Sequence, residues 1–166
     1  MPTSIAPDEA GRIERAVEAA LRHAGSGDAT TRLLRSARVG AAALAHTPGG
    51  EPAFWLVPFV RDGLACGFAR VGLDGRVGQL SQFGSGEADR GAWPTGSFFR
   101  QPPAQWLAEI QARHPGEALA EPLLSYDGSP ARWAWRIALG DGSRVAYVTP
   151  GGWYETPGSG GEHGIA

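Results

Sequence analysis

Two residue types are missing from this 166-residue chain: it contains no lysine and no asparagine, and all fifteen of its basic residues are arginine. The joint absence reads as the codon bias of a GC-rich genome. Avoidance of lysine-directed tagging would explain the missing lysine but has no place for the missing asparagine. Cysteine is nearly absent too. Cys66 stands alone, so no internal disulfide is available, which fits a reducing compartment. Charged residues make up 19% of the chain with a net charge of −2, and nothing supplies the clustered positive surface a nucleic acid needs. No apolar run approaches the ~18 residues of a membrane span. The longest, residues 53–60, has the length of a strand. The first residues lack the basic-then-apolar order of a secretory signal. The expectation is a cytoplasmic protein without membrane or nucleic-acid partners.

What is present is an apolar fraction of 42% arranged in two periods. Pro7, Asp8 and Glu9 suit a first helical turn, because proline loses nothing there and the acids face the positive end of the dipole. Ile13, Ala16, Val17, Ala20, Leu21 and Ala24 then recur at helical spacing, with Gly25 as the stop. Residues 25–31 read as a link. Thr31 to Arg38 suits either a helical turn or an approach to a strand, and Val39 to His46 reads as a strand before the Thr47–Gly50 turn.

Ala53 to Val60 is apolar on both faces and needs cover on both. Pro58 cannot donate to a ladder, so an edge or a bulge is expected there. Asp62-Gly63 and Asp74-Gly75 mark hairpin turns on either side of Leu64 to Val71. There Leu64, Cys66 and Phe68 alternate with Ala65, Gly67 and Ala69, leaving a nearly bare face that a helix can approach closely. Val77 to Phe83 continues the meander.

A second unit repeats the plan. Pro102 and Pro103 open a helix with Trp106, Leu107 and Ile110 inward, closed by His114-Pro115-Gly116. Leu123 to Tyr126 starts a second meander, turning at Asp127-Gly128. Trp133, Trp135, Ile137 and Leu139 share one strand face, with Arg132 and Arg136 on the other. Gly140-Asp141-Gly142 turns into Arg144 to Thr149, and from Thr156 onward the composition suggests a disordered tail. The fold class is α+β: antiparallel meander sheets with helices on one face. The divisions are 1–100, 101–155 sharing the core, and a tail at 156–166.

Candidate chemistry is sparse. His23, His46, His114 and His163 fall in no motif, Cys66 sits on an apolar strand face, and no catalytic residue, metal site or cofactor is expected. Glu162-His163 is at most a weak metal pair. Glu87 and Asp89 are paired loop carboxylates that read as solvated charges, and Gly84-Ser85-Gly86 is a phosphate-cradle pattern without its lysine. Arg132, Arg136 and Arg144 are candidates for one arginine face that takes an anion or an acidic partner. Trp93, Phe98, Phe99, Trp153 and Tyr154 fall in loops or at strand ends. There they either cap the core or offer a partner-binding surface.

The segment from the first helix through Phe54-Trp55-Leu56-Val57-Pro58-Phe59, Asp62-Gly63, Gly67-Phe68-Ala69-Arg70-Val71 and Asp74-Gly75-Arg76-Val77 resembles a PepSY-type unit with a cystatin-like look. The likeness covers residues 7–83, with a degenerate copy at 102–149. It implies a binding or inhibitory module tied to protein partners and supplies no catalytic residues. Three functions follow in order. The first is a non-enzymatic protein-interaction module, of inhibitor or immunity type. The second is a small-molecule binder or enzyme with a pocket lined by Trp133, Trp135 and Phe68. The third is a self-associating protein, a homodimer pairing through strand 53–60.

Overall fold

The computed structural model describes residues 7–24, 29–126 and 132–158. They form an α+β fold with two antiparallel sheets. The chain divides into two compact units, one of residues 1–44 and 53–100, the other of 45–52 and 101–166. The hairpin at 45–52 groups with the later residues. Gly25, the Asp127-Gly128 turn and Glu162-His163 lie outside the described residues.

In the first unit, α1 (Pro7–His23) and α2 (Ala29–Arg35) precede the strands β1 (Arg38–Val39), β2 (Ala43–His46), β3 (Pro52–Arg61), β4 (Leu64–Val71) and β5 (Val77–Gln82). The sheet order is β1-β3-β4-β5, with β2 also paired to β3. The expected single strand over 39–46 is therefore two short pieces broken at residues 40–42. Pro58 explains the break: its carbonyl accepts from Gly40 N at 2.8 Å, yet it has no N–H to return. The proline thus sits inside the sheet, with the interruption in the neighbouring strand absorbing its missing donor.

On the other side of β3 the register shifts after Phe59. Phe59 pairs with Gly67 and Val60 with Ala65, so Cys66 is the extra residue of a bulge. The bulge separates Cys66 from Phe68. Cys66 joins Trp55, Val57, Phe59, Ala69 and Val71 against Ile13, Val17, Leu21, Leu33 and Leu34 of the helices. The bare face of β4 does receive a helix: a Cβ on Gly67 would stand 2.7 Å from Leu34 Cδ2. Cover on the opposite face of β3, where Phe54 and Leu56 are buried, includes aromatic packing. Ring contacts run from Phe68 to Phe83 (5.4 Å), Phe83 to Phe99 (6.2 Å) and Phe99 to Phe98 (5.4 Å). β3 pairs with β1 and β2 and with β4 within the sheet.

In the second unit α3 (Ala104–Arg113) precedes β6 (Leu123–Tyr126), β7 (Trp133–Leu139), β8 (Arg144–Thr149) and β9 (Gly152–Pro157), hydrogen-bonded in that order. Trp133, Trp135, Ile137 and Leu139 are buried on one face, as their alternation requires. Thr156 pairs with Val145 and Pro157 with Arg144, so the expected tail at 156 is the end of a strand. The Gly/Ser/Pro composition hid it, because an edge strand needs few apolar residues and tolerates proline. The hairpin joins through Ser125, buried, whose hydroxyl donates to His46 O at 2.8 Å. None of the helices in the described residues is long and apolar enough to cross a membrane.

Candidate functional site

The loop aromatics turn inward. Trp93, Phe98 and Phe99 are 6%, 3% and 2% exposed, so these three pack into the core and form no exposed aromatic patch. Two 3-10 turns, Glu87–Ala92 and Gly96–Phe99, wind the loop tightly enough to place them there. Between the turns Ala65 N donates to Pro94 O, Leu64 bridges Thr95, and Gly96 N donates to Gly63 O at 2.9 Å. No sequence signal announced this, since Asp89, Arg90 and Arg100 flank the aromatics as charges would flank an exposed patch.

Trp153 and Tyr154 are the second and third residues of β9, half-buried, opposite Val148 and Tyr147. Trp153 Nε1 donates to Glu109 Oε2 at 3.2 Å, and the Arg113 guanidinium lies 4.7 Å from its ring centroid. Tyr154 stacks on Tyr147 at 5.7 Å. Both therefore hold the second unit's own elements together.

The expected arginine face is also corrected. Arg136 lies opposite Tyr147 and Arg144 opposite Leu139. Residues 136 and 139 are an odd number apart, so Arg136 and Arg144 point to opposite faces of the sheet. Arg144 is bound to Glu117 and lies 4.0 Å from Glu155. The same carboxylates hold the buried His114: its Nε2 donates to Glu155 Oε1 at 2.5 Å, and its Nδ1 lies 3.4 Å from Glu117. This cluster closes the end of α3 onto β8 and β9. Arg132 is exposed just before β7.

The carboxylates and glycines of the loop have local roles. Glu87 takes Arg61 through both oxygens at 2.7 and 2.8 Å, and Arg90 binds Asp62 at 2.6 Å. Ser85 N donates to Asp89 Oδ2. The anion seated on the Gly84-Ser85-Gly86 turn is thus the chain's own Asp89. Cys66 is fully buried, and its Sγ donates to Phe59 O at 3.4 Å. Burial pushes its thiol up, against smaller lowering effects of its backbone hydrogen bond and Arg61. Less thiolate and no access make it inert. At pH 8, Ellman's reagent is expected to label Cys66 at least ~100-fold more slowly in the native protein than in guanidinium. Comparable rates would mean that the bulge leaves the thiol open. Among the described residues no group of three His, Cys, Asp or Glu side chains is placed to hold a metal ion.

What remains is a recess in the first unit that the sequence did not announce. It has a volume of about 260 Å³ and lies between the β1–β3 ladder and the second 3-10 turn. Pro58, Val60 and Phe99 are its apolar lining residues, and Ser97, Arg38 and Arg100 are its polar ones. Both arginines are exposed. Arg61, Arg90 and Arg144 each meet carboxylates, whereas no carboxylate among the described residues pairs with Arg38 or Arg100.

Glycine keeps the space open. A Cβ on Gly40 would stand 3.0 Å from Pro58 Cγ and Pro58 O, and one on Gly96 would stand 3.1 Å from Val60 Cγ2. Neither position has room for a side chain without moving the wall. The two arginines are 62 residues apart in sequence, and only the pairing of β1 with β3 and the lacing of residues 94–96 to the start of β4 bring them to one recess. No family profile, curated protein or solved structure matches this chain.

Proposed function

We propose that the chain is a non-enzymatic binding module whose first unit recognises an anionic group on a protein partner, through Arg38 and Arg100. The observation that carries this reading is two arginines lining one concave site, neither paired with a carboxylate among the described residues. Guanidinium forks match carboxylate and phosphate oxygens, and a recess holds the anion better than a flat face. The resemblance of residues 7–83 to PepSY-type binding units points the same way. So does the lone, buried cysteine, which suits a reducing compartment such as the cytoplasm. The aromatic set Trp93, Phe98 and Phe99 enters this reading as the rigid packing behind the site, with Phe99 forming part of its wall.

The test is a titration of the ¹⁵N-labelled full chain with inorganic phosphate, and separately with acetate, followed by amide shifts. Gly40, Gly63, Gly96 and Ser97 are expected to move together, with a dissociation constant in the millimolar range or tighter, and Arg38→Ala/Arg100→Ala is expected to abolish the movement. Both positions are exposed, so the variant should keep its native spectrum elsewhere. Unmoved amides, or identical shifts in the variant, would remove the site from the account.

A further inference from the structure

Resting on the anion-recognition reading above, we infer that the occupant of the recess is the C-terminal residue of a partner polypeptide. Its free α-carboxylate meets Arg38 and Arg100, and its apolar side chain lies on Pro58, Val60 and Phe99. Size is the first argument. About 260 Å³ falls below the roughly 300–1,000 Å³ of pockets that enclose small-molecule ligands, so one residue fits where a nucleotide would not be enclosed.

Lining is the second argument. A bare phosphate would use the arginines alone, whereas a residue with a carboxylate and an apolar side chain also uses the apolar lining that Pro58, Val60 and Phe99 present to the recess. An internal aspartate or glutamate would bring its charge on a short stem and require the chain to continue past the recess on both sides. A chain end requires only one exit.

The backbone supplies the third argument. β1 is the outer strand of its sheet, pairing Arg38 with Val60 and Val39 with Phe59. Gly40 N bonds inward to Pro58 O. By the alternation of an antiparallel ladder, the N–H and C=O of Val39 point away from β3. They are open to the main chain of an arriving segment, the mode in which an extended peptide adds to a sheet edge while its side chains enter pockets. The break at residues 40–42 ends that edge beside the recess, where a peptide pairing with β1 would also have to stop.

The experiment measures fluorescence anisotropy of hexapeptides bound to the full chain. The last residue is varied over Gly, Val, Leu, Ile, Phe and Asp, and each peptide is made as free acid and as C-terminal amide. Inorganic phosphate is titrated in parallel by NMR. Free acids ending in Val, Leu, Ile or Phe are expected to bind at least roughly tenfold tighter than their amides and than the Gly-ended acid, with the preference lost in Arg38→Ala/Arg100→Ala. Equal binding of acid and amide overturns the inference. So does tightest binding of peptides ending in Asp-amide, which would assign the recess to acidic side chains. Phosphate shifts that vanish in the variant, with no peptide bound, overturn the chain-end occupant and leave the anion site standing. Absence of both phosphate and peptide binding overturns the two together.

Discussion

Phe59→Ala is expected to destabilise the first unit by about 3–5 kcal/mol, the range for truncating a fully buried phenylalanine. Phe59 is 0% exposed and packs in the cluster that joins α1 and α2 to β3 and β4. It also flanks the bulge, its carbonyl accepting from Cys66 Sγ, so little collapse into the cavity is available. Because the chain has two units, one global unfolding energy is not the quantity to measure. Native-state hydrogen exchange at the β3 and β4 amides reads the loss locally. A change below about 1 kcal/mol there would mean that this face is not the core of the unit.

Gly67→Ala is expected to cost about 1–3 kcal/mol, opposite in sign to the usual gain from removing a strand glycine. The new Cβ would stand 2.7 Å from Leu34 Cδ2 and 3.0 Å from Gln82 Cα, and closer still to the Ser81 carbonyl. Leu34 can rotate, but the backbone of β5 can yield only by breaking its pairing with β4. Gly91→Ala is the control, since nothing lies within 4 Å of its added Cβ, and its stability should change by no more than about 0.5 kcal/mol. The same exchange measurement, read at β4 and β5, separates the two variants. A neutral Gly67→Ala would show that α2 does not approach β4 as closely as described.

Both predictions concern features whose raw material is visible in the sequence. The bare Gly67 and Ala69 face announces a close helix, and the stripe of Ile13, Val17 and Leu21 supplies one. The alternation from Trp135 to Leu139 separates buried from half-buried positions along β7, because a strand's side-chain period is two whatever it pairs with. Local turn chemistry set the Asp62-Gly63 hairpin, where Asp62 and Gly63 both adopt positive φ.

The aromatic set is where the sequence left two readings open. Trp93, Phe98 and Phe99 stand in a loop of glycine and polar residues, and position along the chain says nothing of which way a loop folds. Two 3-10 turns and the hydrogen bonds to β4 and its turn made them core. The arginine face failed for a related reason. Whether Arg144 joins Arg136 depends on one step of register across the Gly140–Gly142 turn, and that step placed Arg144 opposite Leu139 instead.

The sequence alone determined the kinds of element and their order, because helical and strand periods are written in neighbouring residues. It also marked the face of Gly67 and Ala69 as small enough for a helix to approach. Tertiary structure alone decided the bulge that turns Cys66 toward the helices, the break that accommodates Pro58, and the convergence of Arg38 with Arg100. Each of these depends on which residue of one strand lies beside which residue of another, and that pairing is set by packing across the whole unit and not by any short stretch of chain.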